Sequence, residues 1–418
     1  MSTLNILIVC EHASNVFGGE AMLPLNYFRY LAKSENTVYL ITHERVKKSI
    51  QQIADINQKN VFYVPDTAAH KFLHRYSQFL PERLRIVTFG FAMHLITQFY
   101  QWRLARKIVK DKQINVVHEP APVSAIQPSA MFGLGAPVVI GPMNGGMSFP
   151  PAFQYMAGRF ERILYRAMRL FTSIYNVIIP GKFFAAVLLV ANQRTHDALP
   201  KLKLGKTLEL VENGVFTALA APKAPLNSAN QTINVLYVGR LVDWKAVDIV
   251  IDAIAKCNSN VSLTILGDGE LRTALEMHAT KYAPNKVTFA GLVAHSATNQ
   301  YYDNADIFVL PSVRECGGAV VLEAMARGLP VIATGWGGPA DYITTETGYL
   351  VQPTSKEYMV DEFSRIIDQL AMQPELRHSI GVAAIARIKQ HFMWDKKIEK
   401  MLDIYQIAIK NKAAGNNK

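Results

Sequence analysis

Residues 314–324 of the chain read RECGGAVVLEA, and they follow the apolar run DIFVLPS at residues 306–312. The apolar run is typical of a buried strand, whereas residues 319–327 are typical of a short helix. The adjacent glycines Gly317 and Gly318 therefore lie where a strand passes into a helix N-terminus. Similar alternation recurs in both halves of the chain, which predicts an α/β fold with parallel sheets covered on both faces.

The strand–helix junction predicts an anion-binding site. The first backbone N–H groups of a helix have no partner within it, and the helix dipole favours a negative charge there. Glycine, which has no Cβ, lets a phosphate come close to the backbone. We therefore predict that Gly317, Gly318, Ala319 and Val320 bind the phosphates of a ligand.

Two glutamates flank this junction. Glu315 precedes the glycines, and Glu323 lies about two turns into the predicted helix. A carboxylate accepts hydrogen bonds and donates none, so it binds sugar hydroxyls well. The local chemistry suits a diphosphate with a polyol at each end, as in a nucleotide sugar. The alternative interpretation is an ordinary glycine turn between two surface glutamates.

The junction resembles the E-x7-E motif of family four glycosyltransferases, which are retaining enzymes of the GT-B fold. The resemblance covers nearly the whole chain. Its other elements are a Gly-Gly loop at Gly18-Gly19-Glu20, a histidine after a strand at His118-Glu119-Pro120, a Gly-Arg…Lys donor clamp at residues 239–245 (GRLVDWK) and an aromatic pair at residues 392–394 (FMW). The chain departs from the family at Ala246, where glycine is usual.

The resemblance implies catalytic roles for four side chains. Arg240 and Lys245 stabilise the nucleoside diphosphate, Glu315 binds the transferred sugar, and His118 positions that sugar. The family has no agreed nucleophile, and the usual proposal is front-face attack in which the leaving phosphate takes the acceptor proton. The alternatives are an exposed basic pair for Arg240 and Lys245 and a hydrogen-bonded structural histidine for His118.

Four further residues follow predicted strands. The resemblance implies that Gly18 and Gly19 contact the donor phosphate or the acceptor, and that Leu292 lies near the donor base. Asn144, in the glycine-rich run at residues 141–147, is a candidate contact for the acceptor. The alternatives are a flexible loop for the two glycines and a tight Asn-Gly turn for Asn144.

The strand–helix alternation predicts two Rossmann-like, doubly wound lobes with a cleft between them. Residues 218–231, rich in Ala, Pro and Asn, have linker composition. We expect residues 1–214 to form the acceptor-binding lobe, with a C-terminal helix at 395–412 packing back on it. Residues 215–394 are expected to form the lobe that binds the nucleotide-sugar donor.

The composition bounds the remaining possibilities. The chain has 418 residues and three scattered cysteines, which argues against a disulfide framework and a metal site. No secretory leader or membrane-spanning run is evident, so we expect a cytoplasmic protein. No nucleic-acid recognition motif is present. No Asp-x-Asp motif stands at a strand end, so we expect no metal and no cofactor besides a UDP- or GDP-linked sugar as donor.

The first 180 residues are basic, with 19 Lys and Arg against 10 Asp and Glu. Four arginines fall at helical spacing in this part: Arg159, Arg162, Arg166 and Arg169. Such a face predicts peripheral contact with an anionic membrane at the inner side, and the alternative is a solvated helix face.

The sequence as a whole predicts a retaining glycosyltransferase that moves a hexose to a saccharide or lipid-linked acceptor in glycolipid or polysaccharide synthesis. Two other interpretations stay open at this point. One is a GT-B phosphorylase or synthase that makes a small soluble glycoside. The other is a catalytically silent protein that binds nucleotide sugars.

Overall fold

The structure, a computed structural model, describes residues 3–15, 19–80, 85–121, 124–158, 172, 174–215, 219–220 and 232–415. Two of the predictions above, the contact by Gly18 and the arginine face at 159–169, lie outside these residues. The chain divides into two compact units. The first unit comprises residues 1–146, 164–212 and 397–418, and the second comprises residues 147–163 and 213–396. The predicted domain limits, 1–214 and 215–394, stay a prediction.

The first unit is built on a parallel sheet of seven strands in the order β3-β2-β1-β4-β5-β6-β7. The strands are β1 Asn5–Val9, β2 Thr37–His43, β3 Val61–Val64, β4 Val116–Glu119, β5 Val138–Met143, β6 Val187–Val190 and β7 Lys206–Glu209. All residues of β4, β5 and β6 are buried, as expected for a sheet covered on both faces.

Helices connect these strands. Those within the described residues are α1 Gly19–Ala32, α2 Lys47–Gln51, α3 Ala68–Ser77, α4 Phe91–Asp111, α5 Gly181–Phe184 and α6 Gln193–Asp197. Residues of α4 such as Ala105 and Ile108 pack with Leu7, Val117 and Leu188 of the sheet in one apolar core. This core holds the carboxyl ends of the strands in place.

The second unit repeats the arrangement with six parallel strands in the order β10-β9-β8-β11-β12-β13. The strands are β8 Ile233–Val238, β9 Val261–Leu266, β10 Val287–Gly291, β11 Ile307–Leu310, β12 Val331–Thr334 and β13 Gly348–Val351. The helices are α7 Val247–Lys256, α8 Arg272–Tyr282, α9 His295–Asn304, α10 Ala319–Ala326, α11 Gly338–Tyr342, α12 Lys356–Met372, α13 Pro374–His391 and α14 Trp394–Gly415. From Lys397 onward, α14 belongs to the first unit.

The predicted fold class is confirmed, since both units are Rossmann-like parallel α/β sheets. In each sheet the strand order reverses once, between β1 and β4 in the first unit and between β8 and β11 in the second. Ligands of such sheets bind beside the carboxyl ends of the strands at this reversal. In the part of the chain that the structure describes, no helix is both long and apolar enough to cross a membrane.

Glycines hold the loops at the carboxyl edge of the second sheet. Gly267 has φ of +141°, and a Cβ there would lie 1.9 Å from the carbonyl oxygen of Gly239. A Cβ on Gly269 would lie 2.3 Å from the carbonyl oxygen of Leu241. The amide of Leu241 donates to the carbonyl oxygen of Asp268 over 2.9 Å. The run GDG at residues 267–269 therefore fastens the loop that carries Arg240.

We predict that Gly267→Ala lowers the free energy of unfolding by about 2 kcal/mol or more, because the new methyl group meets backbone that has no room to move. Gly158→Ala is the matched control, since a Cβ at Gly158 meets no atom within 4 Å. Urea denaturation of both variants measures the effect. Equal stability of the two variants would contradict the close packing of these loops.

Candidate functional site

Two of the predicted site residues, Arg240 and Glu315, lie at the reversal point of the second sheet. Arg240 follows β8, and the loop to Glu315 follows β11, which pairs with β8. The guanidinium of Arg240 is exposed, and its backbone carbonyl accepts a hydrogen bond of 3.1 Å from the buried hydroxyl of Tyr237. Within the described ranges, no carboxylate forms an ion pair with Arg240. Its charge is therefore directed to solvent at the carboxyl edge.

Lys245 and Glu315 are brought together by the fold. The Nζ atom of Lys245 donates to a carboxylate oxygen of Glu315, and the two side chains are 16% and 13% exposed. Lys245 ends the 3₁₀ turn Asp243–Lys245, and Ala246 follows in the left-handed region with φ of +50°. Glycine adopts that conformation without strain, which gives a physical reason for the family's glycine at this position. The contact makes an ion pair of two residues predicted to bind different parts of one ligand.

The helix α10 begins beside this pair. Gly318 is its N-cap, with φ of +72° and ψ of 46°, and it has no side chain to bind the first amides of the helix. Its carbonyl oxygen accepts from the amide of Val321 over 2.9 Å, so Ala319 and Val320 precede the first bond of the helix. The predicted start of the helix at residue 319 agrees with the structure. The amides of this turn and the helix dipole provide a positive field next to Lys245.

A second pair of glycines, which the sequence analysis missed, supports the Glu315 loop. The amide of Gly338 donates to the carbonyl oxygen of Glu315 over 2.8 Å. A Cβ on Gly337 would lie 2.1 Å from that oxygen, and one on Gly338 would lie 2.2 Å from the carbonyl oxygen of Gly317. The run GWGGP at residues 335–339 follows a strand, as the first glycine pair does. A second glycine pair after a strand was therefore the feature of the sequence that could have indicated this loop.

Glu323 has a buried partner. The hydroxyl of Tyr302, which is 1% exposed, donates to Oε2 of Glu323 over 2.9 Å. Burial, together with the neighbouring Glu323 charge, raises the pKa of Tyr302 well above its usual value, so the hydroxyl keeps its proton and remains a donor. One carboxylate oxygen is thus held by the protein. Leu292, after β10, is 80% exposed and offers an apolar surface at the same edge of the sheet.

His118 is buried at the end of β4 and uses both ring nitrogens. Its Nε2 atom donates to the carbonyl oxygen of Gly141 over 2.6 Å, so Nδ1 accepts from the hydroxyl of Tyr405 at 2.8 Å. The side chain is 0% exposed, and the ring of Tyr27 lies 4.8 Å away in an edge-on contact. Burial lowers the pKa of His118 to about 4. This arrangement matches the structural alternative and leaves no ring nitrogen for a sugar.

Asn144 follows β5 and lies in a polar network. Its Nδ2 atom donates to Oε2 of Glu212 over 2.8 Å. The buried Nζ of Lys397, in α14, donates to the carbonyl oxygen of Glu212, and burial lowers the pKa of this amine to about 7. The hydroxyl of Thr195 accepts from the amide of Gly145 over 3.0 Å. The glycine-rich loop is therefore fastened to α6 and α14. Gly19, the other described N-terminal candidate, is the first residue of α1.

A polar cluster at the carboxyl ends of β1, β2 and β3 was also missed. Nδ1 of His94 lies 3.0 Å from Oε2 of Glu11, the second residue after β1. Burial alone would raise the pKa of Glu11, but the hydrogen bond and charge of His94 lower it to about 2. The signal in the sequence was an acidic residue within two positions of the end of each of these strands, namely Glu11, Glu44 and Asp66. A carboxylate and imidazoles at this edge suit a polyol.

Three residues of this region, His43, Asp66 and His70, place possible metal ligands within 4.8 Å of one another. Asp66 pairs with Arg45 over 2.8 Å, however. The two ring nitrogens of His70 contact the hydroxyls of Thr67 and Thr97 at 2.8 and 3.0 Å. Asp66 and His70 would have to give up these contacts to bind a metal ion, whereas Nε2 of His43 is buried and has no hydrogen-bond partner among the described residues.

We predict that the burial of His118 lowers the free energy of unfolding as the pH falls. The folded pKa near 4 lies below the ordinary 6.5. Between these values the unfolded chain binds a proton that the folded chain does not, so unfolding becomes easier as the pH falls from 6.5 towards 4. The full contribution is about 3 kcal/mol. His118→Gln should show a shallower pH dependence in urea unfolding than wild type, and the exposed His74→Gln should not. Parallel curves for all three proteins would disprove the assignment.

Comparison with known proteins finds similarity mainly in the second unit. Residues 222–387 match the model of glycosyl transferases group 1. An uncharacterized glycosyltransferase of Methanocaldococcus jannaschii is 32% identical over 179 residues, which are 42% of this chain and 45% of that protein. A GDP-mannose-dependent monoacylated alpha-(1-6)-phosphatidylinositol monomannoside mannosyltransferase of Corynebacterium glutamicum is 29% identical over 219 residues, 48% of this chain and 56% of the relative. The chain thus spans about half the length of the curated relatives it matches.

Solved structures extend the likeness to both units. A protein from Anabaena, in complex with UDP and glucose, has a TM-score of 0.64 at 16% identity and covers 96% of this chain and 99% of its own. A sucrose-phosphate synthase from Thermosynechococcus elongatus has a TM-score of 0.69 at 19% identity, with 96% and 98% covered. At such identities the likeness shows the fold alone. The fold is thus that of the GT-B glycosyltransferases, and the match of residues 222–387 to glycosyl transferases group 1 supports a glycosyltransferase.

Proposed function

We propose that the chain is a retaining glycosyltransferase that transfers a hexose from a UDP- or GDP-linked sugar to a lipid-linked or saccharide acceptor. The observation that carries the proposal is the Lys245–Glu315 ion pair, which lies at the sheet reversal beside the Gly318 helix start. Relatives named for a mannosyltransferase and a D-inositol 3-phosphate glycosyltransferase support a polyol or lipid acceptor. The UDP-glucose complex of a structural neighbour supports the donor class.

The diphosphate of the donor would take the place that Glu315 occupies on Lys245. Lys245, the exposed Arg240 and the first turn of α10 then surround it with positive charge. This field matters most as the glycosidic bond breaks, because the leaving diphosphate gains negative charge at that moment. Glu315, released from Lys245, accepts hydrogen bonds from the hydroxyls of the transferred hexose.

The nucleoside end of the donor is assigned to Glu323 and Leu292. Tyr302 holds one oxygen of Glu323, so the other is oriented for the two ribose hydroxyls. Charge-assisted bonds of this kind are stronger than neutral ones. The exposed Leu292 gives the flat base an apolar surface.

The acceptor is assigned to the first unit. Glu11, His94 and the loop of Asn144 lie at the carboxyl edge of its sheet. His118 acts through this loop, because its Nε2 holds the carbonyl of Gly141. We therefore assign His118 the role of positioning this loop, in place of the predicted role of positioning the transferred sugar. The retention of configuration rests on the E-x7-E resemblance, and the leaving phosphate takes the acceptor proton.

Removing either cation of the diphosphate site should slow the reaction. We expect Arg240→Ala and Lys245→Ala each to lower kcat by about 10²-fold or more, because the charge on the leaving group loses its compensation. Lys256→Ala, a change at a surface lysine paired with Asp361, is the matched control. Steady-state kinetics with the donor give the result. Near-normal turnover in both site variants would place the diphosphate elsewhere.

Removing the ribose contact should weaken nucleotide binding. We expect Glu323→Ala to cost about 1.5–3 kcal/mol of binding free energy for the nucleoside diphosphate. Tyr302→Phe should cost less, because the carboxylate remains and only its orientation relaxes. Isothermal titration calorimetry distinguishes the two. If a folded Glu323→Ala protein binds with wild-type affinity, Glu323 does not contact the ribose.

Transfer should not need a divalent cation, since Arg240, Lys245 and the start of α10 supply the positive field. Activity measured with excess EDTA should equal activity without it. Loss of activity with EDTA, restored by magnesium or manganese, would contradict this assignment of the diphosphate site.

A further inference from the structure

The first unit contains a cavity of about 1110 Å³. This volume slightly exceeds the range of about 300–1,000 Å³ that is usual for small-molecule sites. Most of its lining is apolar, and the residues that matter here are Ile126, Val177, Phe183, Phe184, Leu199 and Leu202. Phe183 and Phe184 precede β6, whereas Leu199 and Leu202 follow it. The cavity is therefore lined by the segments on both sides of this strand.

The part of the cavity at α6 carries charged side chains of both signs and adjoins the loop assigned to the acceptor. Gly146, Arg194 and Asp197 line it there. Gly146 has φ of +72°, and a Cβ would lie 2.9 Å from both the Cβ of Ala198 and the carbonyl oxygen of Arg194. Glycine thus lets the loop of Asn144 lie against α6. A ligand with an apolar tail in the cavity would present its polar end to this loop.

The rim of the cavity is apolar and basic at once. Residues 200–206 read PKLKLGK, and Leu202 and Leu204 are each 69% exposed. Val177, which lines the cavity, and the adjacent Ile178 are 67% and 68% exposed. Large apolar side chains that face water together mark an interaction surface. Apolar side chains that alternate with lysines are typical of a surface that lies on anionic lipid.

We propose that this cavity binds one hydrocarbon chain of an anionic membrane lipid, with residues 200–206 lying on the membrane surface. The lysines complement the lipid phosphates, and the leucines enter the apolar layer beneath them. The assignment of that chain to the acceptor rests on the proposed function. Binding of a hydrocarbon chain in the cavity does not require donor binding, because the cavity and its rim share no residue with the donor site.

Fluorescence of cis-parinaric acid, a chain carboxylate whose emission rises in apolar surroundings, tests the cavity in the full-length protein. We expect saturable binding to wild type. Val177→Trp, which fills the mouth, and Val177→Asp, which charges it, should each weaken binding at least tenfold. Both changes are at an exposed position that the fold tolerates. Met277→Trp, at a position 66% exposed in the second unit, is the matched control. No saturable binding to wild type, or wild-type affinity in both Val177 variants, would overturn the site.

Co-sedimentation with vesicles tests the rim. Wild type should pellet with vesicles of equal parts phosphatidylglycerol and phosphatidylcholine, and not with pure phosphatidylcholine. The double change Leu202→Gln and Leu204→Gln should lower the bound fraction at least fivefold. Equal sedimentation of the variant, or none of the wild type, would contradict membrane contact through this rim. Calorimetry with UDP and GDP distinguishes the lipid site from the proposed function. If the protein binds the hydrocarbon chain but no nucleotide, only the proposed function is refuted.

Discussion

The ion pair between Lys245 and Glu315 is the contact on which the account of the donor site depends. It joins the loop after β8 to the loop after β11, at the place where the strand order reverses. Both side chains are largely withdrawn from water, so the attraction between them is screened less than that of a surface pair. In the proposed complex a phosphate replaces the carboxylate on Lys245, and the hydroxyls of the hexose compensate the released Glu315. In this proposal the ion pair holds the lysine in position in the free protein.

Backbone packing makes this geometry specific. Four glycines, at 267, 269, 337 and 338, lie where a Cβ would come within 2.4 Å of another residue's carbonyl oxygen. The loops on either side of the ion pair are therefore fixed by direct backbone contact. The first unit uses side chains for the same purpose, since His118, Glu212 and Lys397 bind the loops and the C-terminal helix by buried hydrogen bonds.

Much of this organisation follows from local sequence patterns. Apolar runs marked the strands, and the glycine pair at Gly317 marked the start of α10, because both signals depend on near neighbours in the chain. The environment of His118 could not be predicted in the same way. Its partner Tyr405 is 287 residues away, and only the folded chain shows that both nitrogens are used. The contact of Glu11 with His94, 83 residues apart, escaped prediction for the same reason.

Calorimetric titration of UDP and GDP into wild type, Lys245→Met and Glu315→Gln tests whether Lys245 binds the diphosphate of the donor. If Lys245 binds the diphosphate, and Glu315 takes the place of the diphosphate on Lys245 in the free protein, the two substitutions must have opposite effects on binding. Glu315→Gln releases the lysine, so the nucleoside diphosphate should bind at least as tightly as to wild type. Lys245→Met should weaken binding tenfold or more. A loss of affinity in Glu315→Gln equal to that in Lys245→Met would show that the pair is structural and would contradict the account.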